Sequence, residues 1–368
     1  MWVLRFLKEM DMRVIRPAAI VMAMLVMCGI VCADVSRPVQ RGTRILAIDI
    51  NEAENKDFAA AFSKAQEIGI QDVGLTFDWN TLEPEPQKYD AKWLSIANIF
   101  YPSKKVGVSI TIRPISTNRK VVPSDLMDTA FDDPRMIWRF KSLIDFVFSQ
   151  IPDVKINSLV IGSEMDAFLG DDPALWRQYT EFYRVIGSYV RKKHPGLKIA
   201  AEAMFDGLTG KSKMQLRALN KYSDIIGVSY YPLNADFTVK DPGVVAVDFA
   251  SVSSLYPSGE IWFYQLGYPS AELLKSSEAK QSQFISEVFK AWDKNKRIKM
   301  VDFTWMHDLP QESLDFNAKY YSLSDPAFLE FLRTIGLRTY PGTGADKQAL
   351  RTLRKEANLR GWGAAKQN

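Results

Sequence analysis

The chain has 368 residues, 47% hydrophobic and 24% charged, with a formal net charge of +4, which is ordinary globular material for one large domain or two small ones. Apart from the tail after Pro341 no basic stripe interleaves with aromatic residues, which argues against a nucleic-acid partner. Cys28 and Cys32 both fall in the amino-terminal apolar stretch and the imidazoles are His194 and His307, widely separated, so the inventory argues against disulfides, thiolate nucleophiles, zinc sites and Ser-His-Asp hydrolases; no metal and no cofactor is expected.

Arg5, Lys8, Arg13 and Arg16 precede an apolar run from Ala18 to Ala33, and Val31-Cys32-Ala33 before Asp34 has the small-residue spacing of a signal-peptidase site. Residues 1–33 are therefore expected to be a signal peptide, the mature protein exported to a periplasm or secreted, with no stable membrane insertion after cleavage. The run is shorter than the roughly 18 apolar residues of a spanning helix, and an uncleaved anchor is the alternative.

Strand-like runs follow at 45–50, 72–78, 106–113, 157–164, 197–203, 224–230, 260–266 and 298–305. Helical candidates lie between and after them, at 55–68, 91–101, 133–150, 173–193, 213–221, 244–255, 277–293 and 325–335. Their apolar residues recur at three and four, as in Phe140, Leu143, Ile144 and Val147, which marks one buried face. Eight strand-then-helix units predict a single (β/α)8 barrel over residues 34–340 rather than a doubly wound sheet, and no G-x-G-x-x-G follows the first strand. Residues 341–368 form a basic tail, within which 345–360 carries Leu350, Leu353 and Leu359 as a thin apolar stripe. A short amphipathic helix laid on the barrel is the plainer reading, and a contact with an acidic polymer or anionic membrane surface is the other.

Chemistry in such a barrel sits at the carboxyl ends of the strands. Here those ends carry Asp49, Asp78-Trp79, Arg113, Glu164-Met165-Asp166, Glu202, Tyr230-Tyr231, Gln265 and Trp305 with His307-Asp308. Aromatic rings offer flat apolar platforms for sugar faces, which marks Trp79 and Trp305 as stacking candidates, with core packing as the competing use.

Four segments then carry a resemblance. The stretch from Phe77 to Asp90, with Trp79, Leu82-Glu83-Pro84 and Tyr89-Asp90, resembles the loop after strand two of clan A glycoside hydrolases; Ile161-Gly162-Ser163-Glu164-Met165-Asp166 resembles their strand-four I-G-N-E-x-D; Val228-Ser229-Tyr230-Tyr231-Pro232 resembles a strand-six motif; and Ile261 to Ser270 resembles the strand-seven E-x-G-Y/W-P-S motif. The four occur in order over roughly residues 44–335. The resemblance implies an exported protein acting on the O-glycosidic bonds of a β-linked poly- or oligosaccharide, with carbohydrate as its partner. It implies Glu164 as acid/base and Gln265 in the place of the nucleophile. Asp78, Arg113, Ser163, Asp166, Tyr230, Tyr231 and Asp308 are the further candidates for contacts with sugar, one of the two tyrosines bonding residue 265 and the other packing outward.

Two departures bear on activity. Ser163 stands where the family has an asparagine that bonds the sugar 2-hydroxyl, and Gln265 replaces the carboxylate that would form the glycosyl ester and stabilise oxocarbenium charge. A neutral amide does neither. Glu202, among the small apolar residues of Ala200-Ala201-Glu202-Ala203, and Asp166, on the Glu164 face if the strand continues, are the nearest substitute carboxyls; for Glu202 the alternative is a buried pair with Arg113. A catalytically inactive carbohydrate-binding protein is therefore the alternative to a hydrolase.

Overall fold

The computed structural model describes residues 38–340 and 344–363. The expected export segment, residues 1–33, lies outside the described residues. No described helix is long and apolar enough to cross a membrane.

Eight strands, β1 Ile45–Ile48, β2 Asp72–Asp78, β3 Gly107–Ser116, β4 Ile156–Ser163, β5 Lys198–Met204, β6 Ile225–Tyr230, β7 Glu260–Leu266 and β8 Ile298–Phe303, pair in parallel in chain order. β8 pairs back onto β1 through Ile45↔Met300 to Ile48↔Phe303, which closes a (β/α)8 barrel. β3 ends in a hairpin whose return arm is Arg119–Lys120, antiparallel to Ile115–Ser116.

The helices are α1 Phe58–Ile68, α2 Lys92–Lys104, α3 Pro134–Gln150, α4 Pro173–Lys193, α5 Lys213–Leu219, α6 Val244–Leu255, α7 Glu278–Lys294, α8 Gln311–Tyr321, α9 Pro326–Thr334 and α10 Gln348–Leu359. Three of them start alike. Asp133, Asp172 and Asp325 each accept hydrogen bonds from the first free amides, while the following proline occupies the first helical position, where its missing N–H costs nothing. α8 has no counterpart among the predicted helices: its one fully buried residue is Leu314, so it lacks the apolar face that periodicity detects.

Side chains alternate across each strand, sending one set into the barrel and the other under the helices. The interior holds Val160, Ala200, Ile225, Trp262, Tyr264 and Met300. The outer set joins one large core with the helices, in which Phe140, Phe182, Phe249, Phe263 and Phe284 are buried. That core continues past residue 340. In α10, Ala349, Leu350, Leu353 and Ala357 are buried, while Leu359 is exposed. Trp362 stacks on Trp292 with ring centroids 5.0 Å apart, and Arg44 lies over both rings. Much of the tail's charge is spent locally: Arg360 pairs with Asp293 at 2.7 Å and with Glu356 at 2.6 Å, and Lys347 with Asp308 at 2.6 Å.

The interior is also acidic. Asp49, Asp72, Glu202 and Asp302 project into the barrel, and burial pushes Asp49 up to about 6, Asp72 up to about 7 and Glu202 up to about 8. Asp302, buried beside Asp49 and hydrogen-bonded to it, is raised further. Gly74 on β2 makes room for this pair: a Cβ there would lie 2.5 Å from Asp49 Oδ1, and its N–H donates to that oxygen at 3.1 Å.

Two predictions follow from the packing. Trp362→Ala removes a buried ring stacked on Trp292 and should lower unfolding stability by roughly 3–5 kcal/mol in a denaturant titration; a loss under about 1 kcal/mol would detach α10 from the cooperative unit. The interior acids have folded values above their unfolded ones, so their stabilisation is complete below about pH 4 and is lost as pH rises through 6 to 8. The two imidazoles, pushed down by burial, act in the opposite sense but are outnumbered. The melting temperature should therefore fall from pH 5 to pH 9, and Glu202→Gln should flatten the alkaline part of that fall. A wild-type melting temperature constant over this range would refute the assignment.

Candidate active site

The chain's own geometry builds the site at the carboxyl ends of the strands. β4 ends in Gly162-Ser163-Glu164. Gly162 has φ +81°, and a Cβ on it would lie 2.3 Å from the Tyr179 hydroxyl, so glycine is required where the chain turns out of the strand. Glu164 follows with φ 49°, a left-handed conformation that costs a non-glycine residue about 1 kcal/mol or more and persists where the surroundings hold it. Both its carboxylate oxygens are held: Ser229 Oγ donates to Oε1 at 2.5 Å and Thr117 Oγ1 donates to Oε2 at 2.7 Å. Thr117 sits in the β3 hairpin and Ser229 in β6, so three strand ends fix one carboxylate.

Gln265 reaches the same mouth by a bulge. Val228 and Ser229 of β6 pair with Phe263 and Gln265, and on the other side Val301 and Phe303 pair with Phe263 and Leu266, so β7 carries one extra residue. Strict alternation would send Gln265 outward with Phe263, since Trp262 and Tyr264 face the interior; the extra residue re-aims it inward. Its amide is then tied at both ends. Tyr231 Oη donates to Gln265 Oε1 at 2.9 Å, and Gln265 Nε2 donates to Ser163 Oγ at 3.3 Å. Because Ser163 precedes Glu164, residues 164 and 265 meet at one mouth.

Below them lies Glu202. Burial raises its carboxyl first and the Glu164 charge adds to that, while the Ser163 hydroxyl and Arg113 pull the other way. Its Oε1 has no hydrogen-bond partner. The expected pairing with Arg113 is not made: the Arg113 guanidinium donates to Asp78 Oδ1 at 2.6 Å instead. Asp78 also accepts from Tyr320 Oη at 2.8 Å. Trp305, at the end of β8, is partly exposed and packs against a small second core with Tyr231, Tyr321, Phe328 and Phe331.

Four sequence candidates sit elsewhere. Trp79 is fully buried in a short helix after β2, with its ring against Phe140 at 4.9 Å and its Nε1 donating to Glu83 at 2.7 Å. Glu83 also accepts from Arg139 and the Gln87 amide, so the Trp79 to Pro84 motif anchors the loop to α3 rather than offering a sugar platform. Tyr230 points outward by strand alternation, among Phe205, Phe249, Phe263 and Phe284, and donates to Asp248 at 2.6 Å. Asp166 does not continue β4: the chain enters a short helix at Met165, and Asp166 is buried, accepting from the Met204 amide at 3.0 Å. Asp308 is buried and held by Lys347 at 2.6 Å.

Sequence reasoning missed Thr117, Ser229, Tyr320 and Tyr321. Ser229 lies inside the strand-six motif and is legible by alternation from Tyr230; the other three depend on a hairpin and on α8, neither of which has a periodic signal.

No protein-family model matches this chain, and no curated protein matches it in sequence. Solved structures do match. An exo-β-1,4-mannosidase, Op5Man5, from Opitutaceae bacterium strain TAV5 superposes with a TM-score of 0.66 at 16% identity, over 86% of this chain and 59% of that enzyme. A GH5_18 protein from Bifidobacterium longum subsp. longum, in complex with Manβ1-4GlcNAc, gives 0.68 at 14% identity, over 88% of this chain and 80% of that one. A GH5_18 protein from Streptomyces cattleya, in complex with GlcNAc, gives 0.68 at 12%, over 89% and 82%. At such identities the likeness is one of architecture: the chain has the (β/α)8 fold of the clan A glycoside hydrolases.

Proposed function

We propose that this is an exported carbohydrate-binding barrel of glycoside hydrolase type, which holds a β-linked glycan at the Glu164 mouth and in which double displacement is blocked at residue 265. The observation that carries the reading is the state of Gln265. A retaining mechanism needs a protonated carboxyl to donate to the departing oxygen and an ionised one about 5–5.5 Å away to attack the anomeric carbon. Here the second position is a neutral amide whose carbonyl is occupied by Tyr231 and whose nitrogen is committed to Ser163. It offers neither charge nor a nucleophilic oxygen, but its remaining N–H is a donor for a sugar oxygen. Support for carbohydrate comes from the bound Manβ1-4GlcNAc and GlcNAc of the two GH5_18 structures and from the partly exposed Trp305 just after β8. Export, read from residues 1–33, belongs to the same proposal.

A second reading, slow hydrolysis, is favoured by one observation: Glu202 lies beneath Ser163 with a carboxyl oxygen that has no partner. In that reading Glu164 protonates the departing oxygen, and Glu202, once it has released to solvent the proton that burial favours, above about pH 8, takes the proton of an attacking water.

Restoring the missing group separates the two. Gln265→Glu should raise hydrolysis of an activated aryl β-mannoside or β-glucoside by about 10³-fold or more, because a nucleophile and its charge return together. Adding Glu164→Gln should remove most of that gain on substrates with poor leaving groups, which need the proton. Wild-type turnover on the order of 1 s⁻¹ that Glu202→Gln abolishes would replace the binding reading with the hydrolytic one.

A further inference from the structure

α8 is held over the mouth by polar bonds as well as by Leu314, which is buried in the small second core. Ser313 Oγ donates to Glu52 at 2.5 Å, Tyr320 Oη donates to Asp78 at 2.8 Å, and the Arg119 guanidinium of the β3 hairpin donates to the Tyr320 carbonyl. Within this helix Phe316 is 65% exposed, and it stacks on Tyr320 one turn later with centroids 5.9 Å apart and ring planes 27° from parallel. Arg119 covers Tyr320 from the hairpin, its guanidinium 4.7 Å from the ring centre. The three side chains thus form a continuous strip that starts at Asp78 on the site floor and ends in an open aromatic face. The outward face of Phe316 contributes nothing to the core, and the partly buried Tyr320 behind it reaches Asp78 at the mouth, which leaves one open ring beside the site for a ligand.

We propose that Phe316, backed by Tyr320 and by the Arg119 guanidinium that lies over the Tyr320 ring, forms an outer subsite that takes one sugar ring of a β-linked glycan whose inner rings lie at the Glu164 mouth. The proposal rests on the carbohydrate reading of that mouth. A pyranose presents an apolar C–H face ringed by hydroxyls, and the strip matches both parts. Phe316 is a flat apolar platform, while the exposed Arg119 brings guanidinium donors to the same strip. Continuity with the mouth through the Tyr320 to Asp78 hydrogen bond selects a further unit of the same ligand over an unrelated partner.

The test is a calorimetric titration of manno- and cello-oligosaccharides of one to five units against the wild type, Phe316→Ala and Phe316→Trp. Affinity of the wild type should step up when the chain becomes long enough to reach the strip. Phe316→Ala should erase that step, by roughly tenfold, the scale of one aromatic contact, while leaving the shortest bound sugar unchanged; Phe316→Trp should keep it. An equal effect of Phe316→Ala at every chain length, or none at any, overturns the subsite while leaving the mouth's carbohydrate reading intact. No binding by wild type to any oligosaccharide overturns both. Sedimentation in parallel covers the other occupant: self-association that Phe316→Ala abolishes, with glycan affinity unchanged, would assign the strip to a second copy of this chain and sink the proposal.

Discussion

A closed parallel barrel with carboxyl groups inside it must keep most of them uncharged, and the rest of this molecule accommodates that constraint. Asp49, Asp72, Glu202 and Asp302 all point inward, and the Arg113 guanidinium at the mouth is already committed to Asp78. Leaving several such groups ionised in a low dielectric would cost more than the fold holds in reserve. Raised proton affinities, the shared hydrogen bond between Asp49 and Asp302 and the hydroxyls and amides of Ser109, Asn157, Ser163 and Gly74 are how the burden is met.

That constraint frames the amide at position 265. A glutamate there would add a further carboxyl beside Glu164 and Glu202, with Tyr231 and Ser163 as its donors. Glutamine accepts the same tyrosine hydroxyl, hands its own N–H to Ser163 and adds no charge. The β7 bulge, seen in the pairing on both sides of the strand, is what aims residue 265 inward beside Glu164.

The mouth is completed by segments far from the barrel strands. The β3 hairpin brings Thr117 to Glu164 and Arg119 to α8, and α8 brings Tyr320 to Asp78. Polar anchors dominate in both, which is why neither has a conspicuous apolar pattern. At the opposite end of the chain α10 and Trp362 do the reverse, burying apolar surface against α7 and α1, so that Arg44, Asp293 and Arg360 tie the start of the described chain to its end.

The eight strands were legible in the sequence to within two residues at most of their ends, because each is buried on both faces and reads as a short apolar run bounded by turns. The convergence of Glu164 with Gln265 was legible too, since strand ends share one mouth in this architecture. Which side chains face that mouth was not. Trp79 and Tyr230 follow strand ends as closely as Trp305 does, yet one caps Glu83 in the core and the other points outward, because facing is set by alternation, by where a strand breaks into a helix, and by bulges, none of which leaves a residue-type signature. The sequence by itself determined the barrel, the acid at 164 and the amide at 265. Tertiary structure alone decided that Thr117 and Tyr320 join them, since contacts between segments 47 and 242 residues apart depend on closure of the barrel and not on local pattern.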